Sequence, residues 1–90
     1  MPVTDERSAR VLLVDGTGTL EDRFGTALAN AGFGVTTVGS ASDCLRRVSD
    51  GDVDGIVSRY DLPDLDGIRL LRSVRLSFPL LPFVLVPDDG

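Results

Sequence analysis

Lysine is missing from these 90 residues, and all nine basic side chains are arginines, so no chemistry that needs a lysine amine is open to the chain. A single cysteine, Cys44, excludes an internal disulfide. No apolar run approaches the roughly 20 residues of a membrane-spanning helix, and the N-terminal residues MPVTDERSAR lack the apolar stretch of a secretory signal. A cytoplasmic location is therefore expected. Internal repeats, low-complexity segments and interdomain linkers are also absent. Positive charge is scarce as well: 14 acidic residues against nine arginines give a net charge of -5 and a pI near 4.4. Such a field repels phosphate backbones and weighs against direct binding of nucleic acid.

What remains is the composition of a globular chain, 42% hydrophobic and 26% charged, with a mean hydropathy of +0.15. A single domain of this size buries only about 60 to 70% of its unfolded surface, which leaves a thin margin for a core. Residues 1–9 read as a polar tail that frays, and residues 10–90 as the domain. An acidic surface without lysine is similar to proteins of salt-loving archaea, whose carboxylates hold hydration at high ionic strength. A GC-rich genome produces the same arginine bias.

Short apolar runs alternate with amphipathic ones. Val11 to Val14 reads as a buried strand, and Thr19 is placed to cap a helix with Leu20, Phe24, Leu28 and Ala31 on one stripe, ended by Gly32. Val35 to Val38 makes a second strand. Ser40 can cap a short helix whose inner set is Ala41, Cys44, Leu45 and Val48, so Cys44 reads as a small buried hydrophobe. Ile56 and Val57 lead a third strand into a turn around Pro63. A helix with Ile68, Leu71, Val74 and Phe78 follows, stopped by Pro79, and Leu81 to Val86 supplies a fourth strand that halts at Pro87. Strand-helix alternation implies an open parallel α/β sheet of about four strands covered by helices on both faces. In such sheets the functional crevice lies beyond the carboxyl ends of the strands, where Asp15, Arg59 and Pro87 fall.

The segment VDGIVSRYDLPDLDGIRLLRSVR, preceded by VLLVDG and AGFGVTTVGSASDCLRRV and followed by LPFVLV, resembles the receiver domain of two-component response regulators in its haloarchaeal form. The order and spacing of these pieces carry the resemblance from Val11 onward. It implies a flavodoxin-like or receiver-like fold with strand order 2-1-3-4, here lacking the fifth strand and the last two helices. An open edge and a partly uncovered face then invite self-association or a protein partner.

Members of that family carry a phosphoaccepting aspartate four residues before the turn proline, and counting back from Pro63 lands on Arg59. Two acidic residues after the first strand usually bind Mg²⁺, whereas Asp15 here is followed by Gly16. A hydroxyl residue usually ends the fourth strand, and Pro87 takes that place. The turn residues Asp61, Pro63, Asp66 and Gly67 are retained. Acyl-phosphate chemistry needs a carboxylate nucleophile, a divalent ion and donors for the phosphoryl oxygens. A guanidinium is cationic and cannot serve as that nucleophile. The resemblance thus implies a receiver-like signalling module that is not phosphorylated at the usual position, is not an enzyme, and binds Mg²⁺ weakly or not at all. Arg59 is expected to reach Asp15 and replace the cation.

Two further readings stay open on the sequence. Asp61, Asp64 or Asp66 would serve as a substitute acceptor, or else shape the turn, with Asp66 capping the third helix. DGTGTL, Asp15 to Leu20, also resembles the nucleophile loop of haloacid-dehalogenase-type phosphatases, with Asp15 as nucleophile, Thr17 and Thr19 assisting, and Asp88 and Asp89 as metal ligands. Against that Mg²⁺-dependent enzyme stand the missing lysine, the short length and the closer receiver match in the middle of the chain. Arg69, Arg72 and Arg75 recur every three residues, either as a solvated face or as a dock for an acidic partner.

Overall fold

Parallel pairing of four short strands organises the chain. The computed structural model describes residues 8–87. Strands β1 (Arg10–Val14), β2 (Gly34–Val38), β3 (Gly55–Arg59) and β4 (Phe83–Val86) form one sheet in the order β2-β1-β3-β4. Every pairing is parallel, as the alternating pattern requires. The register sets Leu12 opposite both Thr36 and Ile56, and Ile56 opposite Phe83. Flanked on both sides and covered on both faces, β1 is a continuous apolar run with Leu12, Leu13 and Val14 fully buried. Residues 1–7 of the expected polar tail lie outside the described residues, and Ala9 is held by the Gly34 N–H donating to its carbonyl at 2.9 Å.

Helix α1 follows β1 as a π-helical turn, Glu21–Gly25, that continues as α-helix over Thr26–Asn30. Leu20, Phe24 and Leu28 recur every four residues, a spacing that drifts by about 40° per step in an α-helix; the wider π turn takes up that drift. Leu20 is buried and Phe24 and Leu28 are half-buried, whereas Ala31, expected on the same stripe, is an exposed C-cap. Gly32 ends the helix with φ +98°, a left-handed conformation costly for other residues.

Helix α2 (Ala41–Ser49) is capped as expected by Ser40, whose hydroxyl accepts from the Asp43 N–H at 3.2 Å. Ala41, Cys44 and Val48 point inward, and burial pushes the Cys44 thiol up to about 12. Cys44 is thus the inert hydrophobe read from the sequence.

Helix α3 (Gly67–Ser77) is rotated from the expected stripe. Gly67, Leu70 and Val74 face the core, while Ile68 and Phe78 are 38% and 39% exposed. The contact of Gly67 with the end of β3 explains the rotation. A Cβ at that position would lie 2.4 Å from Leu85 Cδ1 and 2.8 Å from the Arg59 carbonyl oxygen, so the helix start sits directly on the strand. Phe78, held extended by the following Pro79, closes the helix at φ -135° and ψ 72°. Leu81, expected in the fourth strand, instead closes a turn through its N–H to the Phe78 carbonyl.

The main core joins Leu12, Val14 and Ile56 of the sheet to Ala41, Cys44 and Val48 of α2 and Leu70 and Val74 of α3. On the other face α1 covers only part of the sheet. Phe24, Leu28, Val57, Val84 and Val86 line an apolar trough beside it, and Val84 is 55% exposed.

Candidate functional site

β1 delivers Asp15 to the carboxyl end of the sheet, where its N–H donates to the Val38 carbonyl at 2.9 Å and its residue surface is 3% exposed. A carboxylate so buried must be satisfied by donors. Oδ1 accepts from the Thr17 N–H at 2.8 Å and from the Thr17 hydroxyl at 2.7 Å, and Oδ2 accepts from the Leu20 N–H at 2.8 Å. The start of α1 is therefore held by Asp15 rather than by Thr19, the cap expected from the sequence. Burial alone would raise the pKa of Asp15. The Leu20 N–H, the two Thr17 donors and the charge of Arg59 outweigh it and hold the carboxyl below its ordinary range.

β3 delivers Arg59 to the same end. Its Nη1 stands 3.8 Å from Asp15 Oδ1, and the Arg59 side chain is 19% exposed. That separation is an ion pair without a direct hydrogen bond. Thr17 supplies the link, because Arg59 Nη1 donates to its hydroxyl at 3.1 Å. With its one proton given to Asp15, Thr17 Oγ1 accepts from Arg59 and from the Thr19 hydroxyl 2.9 Å away. The pairing of Arg59 with Asp15 expected from the sequence is thus formed; the relay through Thr17 was not foreseen, since nothing in the spacing distinguishes Thr17 from Thr19.

Gly16 lies where the chain ends of β1 and β2 approach: a Cβ there would stand 3.2 Å from the Gly39 carbonyl oxygen. Pro87 follows Val86, the residue paired with Arg59, and brings neither hydroxyl nor N–H to the crevice. Asp88 and Asp89 lie outside the described residues.

The loop after β3 uses its carboxylates differently. Asp61 and Asp66 face each other in an isolated antiparallel bridge, and the Gly67 N–H donates to the Tyr60 carbonyl at 2.6 Å. Asp66 caps α3 by accepting from the Arg69 N–H at 2.8 Å. Asp64 caps α2, accepting from the Ala41 and Ser42 N–H groups at 2.9 and 3.0 Å and from the Ser42 hydroxyl at 2.8 Å. These donors lower its pKa to about 2. A contact spanning more than twenty positions carries no local signal, and sequence reading placed Asp64 only in the turn.

No protein-family model matches the chain. A two-component response regulator of Oryza sativa subsp. indica is 39% identical over 86 residues, covering 92% of this chain and 71% of that protein. The chain belongs to the two-component response-regulator family. A response regulator of Arabidopsis thaliana is 35% identical over 83 residues, which are 90% of this chain and 16% of the relative. Against that protein and transcriptional regulators of Escherichia coli and Rhizobium meliloti, the chain spans 16% to 19% of their length. Among solved structures, a response-regulator receiver protein of Sinorhizobium medicae superposes with a TM-score of 0.82 at 27% identity, covering 96% of this chain and 71% of its own. A chemotaxis response regulator of Vibrio cholerae shares the fold at a TM-score of 0.82 and 22% identity, covering 92% of this chain and 71% of its own. The four-stranded parallel sheet with its three helices is the receiver fold.

Receivers bind Mg²⁺ at this crevice, and the described residues do not fit that ion. Mg²⁺ requires several oxygen ligands in near-octahedral geometry. Here the described residues contain no group of three His, Cys, Asp or Glu side chains placed to hold a metal ion, Gly16 offers no side-chain ligand, and the oxygens of Asp15 already accept three hydrogen bonds beside a guanidinium.

Proposed function

We propose that this chain is a receiver module that signals through protein contacts and does not accept a phosphoryl group at position 59. The observation that carries the reading is the arrangement of Arg59, Thr17 and Asp15, with a guanidinium at the end of β3 bonded through a hydroxyl to the buried carboxylate. The cation that a receiver takes from solution is replaced by one built into the chain, so Mg²⁺ binding is lost or weak. Acyl-phosphate formation has no carboxylate to begin from at that position. Asp64 and Asp66 are engaged as helix caps, which disfavours either as a substitute acceptor, and the burial of Asp15 with three donors and Arg59 around it disfavours a phosphatase-type nucleophile.

The module is then not an enzyme, and its output passes through a partner or a second copy of itself. The apolar trough of Phe24, Leu28, Val57, Val84 and Val86 supports association, since an apolar surface that includes the 55% exposed Val84 is costly to leave in water. The lysine-free acidic composition supports a halophilic archaeal source, and among the described residues no helix is long and apolar enough to cross a membrane.

Incubation with acetyl phosphate and Mg²⁺, followed by intact mass measurement, tests the reading. No phosphoryl adduct is expected. An adduct abolished by Asp61→Asn, Asp64→Asn or Asp66→Asn would overturn it in favour of a substitute acceptor, and phosphate release abolished by Asp15→Asn would favour the phosphatase.

A further inference from the structure

Charge is unevenly divided in this chain. Helices α2 and α3 carry five arginines (Arg46, Arg47, Arg69, Arg72 and Arg75) and one carboxylate, Asp43, a net of +4. The rest of the chain holds four arginines and thirteen carboxylates, a net of -9. Both helices pack on the same face of the sheet.

We propose that the outer face of α3 docks an acidic amphipathic segment of a partner protein. Ile68, Arg72 and Leu76 follow one another at steps of four along the helix, with Arg69 beside them, so basic and aliphatic side chains share one stripe. Leu76 is 86% exposed and Ile68 38% exposed, and Leu80 just beyond the helix is 92% exposed. Among the described residues, neither Arg69 nor Arg72 has an acidic partner within ion-pair distance. Arg75 is committed elsewhere, donating to the Leu81 carbonyl, and so braces the helix end. A basic face whose only role is solubility has no need of exposed aliphatic residues between its arginines. A partner helix with carboxylates opposite Arg69 and Arg72 and apolar residues opposite Ile68 and Leu76 satisfies both components.

Charge also selects the class of partner. A long polyanion, whether nucleic acid or an anionic membrane, extends past the stripe into the field of the remaining -9, whereas a short segment stays within roughly one Debye length, about 8 to 10 Å, of the arginines. The stripe is separate from the Asp15 and Arg59 crevice, so its role stands or falls independently of whether the chain accepts a phosphoryl group.

The test is titration of the isotopically labelled 90-residue chain with a synthetic helical peptide bearing Glu and Leu on one face, read by amide chemical shifts. Shifts confined to Gly67 through Leu80 are expected, weakening as salt rises and disappearing when the Glu residues of the peptide are replaced by Gln. The double variant R69Q/R72Q should bind at least 10-fold more weakly, and L76S several-fold more weakly, with both variants melting as the parent does because the altered side chains are exposed. Binding unaffected by R69Q/R72Q, shifts centred elsewhere, or tighter binding of duplex DNA or phosphatidylglycerol vesicles than of the peptide would each overturn the proposal.

Discussion

The loop after β1 and the loop after β3 meet at the same end of the sheet, yet they spend their carboxylates in opposite ways. In the first, one buried side chain, Asp15, organises everything: it holds the turn through Thr17, the start of α1 through Leu20, and the charge of Arg59. In the second, the work is divided among surface groups, with Asp64 capping α2 and Asp66 capping α3, while Gly67 lets the helix touch the strand. A receiver would use carboxylates at these ends for metal and phosphoryl chemistry. Here Asp15, Asp64 and Asp66 hold backbone amides, so these carboxylates shape the two loops. Failure should accordingly be abrupt in the first loop and graded in the second, except at Gly67, where close packing removes any slack.

Gly67→Ala tests that exception and should have the largest effect. The added methyl meets the Arg59 carbonyl and the Tyr60 backbone as well as the flexible tip of Leu85, so α3 must lift from β3 at a cost of about 3 kcal/mol or more. Urea denaturation at neutral pH measures it; a loss below about 1 kcal/mol would mean that the loop is softer than its contacts indicate. Asp15→Ala comes next. It strands the Leu20 and Thr17 N–H groups and removes one partner of Arg59, and a loss of about 2 to 3 kcal/mol is expected.

Arg59→Ala should cost less, about 1 kcal/mol, because Asp15 keeps three donors and the guanidinium lies 3.8 Å away and partly in solvent. Arg59→Asp should be less stable than Arg59→Ala, since attraction becomes repulsion, and it alone of the three forms should gain melting temperature on adding Mg²⁺. Equal melting temperatures for the parent and both variants would show that the ion pair has no energetic role.

The readability of these parts from sequence follows their range. The parallel strand-helix alternation, the Ser40 and Asp66 caps, the Gly32 helix end and the burial of Cys44 rest on local chemistry or on short-period patterns, and each is present in the structure; the strand order, implied by the family resemblance alone, is present as well. The rotation of α3 was not legible, because Ile68-Leu71-Val74 and Gly67-Leu70-Val74 are both helical spacings. The contact of a glycine with a distant strand decided between them. The π turn in α1 left a faint trace in the four-residue spacing of Leu20, Phe24 and Leu28. In the crevice, Arg59 and Asp15 were visible as residues, whereas the Thr17 relay and the reach of Asp64 to α2 depend on where two separate loops come to rest.

Asp64→Asn should have the smallest effect at neutral pH and the clearest signature in acid. Its pKa is lowered to about 2 by the Ala41 N–H and the two Ser42 donors, from an ordinary value of 3.8. A depressed carboxyl binds fewer protons folded than unfolded, so the stability it contributes is present above the unfolded value and fades as pH falls from about 4 towards 2. Asp15, also lowered, adds to the same acid loss. The parent should therefore lose stability over that window, and Asp64→Asn should lose visibly less, since the amide oxygen still accepts from one of the two helix N–H groups and does not titrate. Because Asp64 lies at the surface, the difference should shrink in molar salt, whereas the Asp15 component should persist. Parallel pH profiles for the parent and Asp64→Asn would place the acid sensitivity of the domain wholly in the first loop.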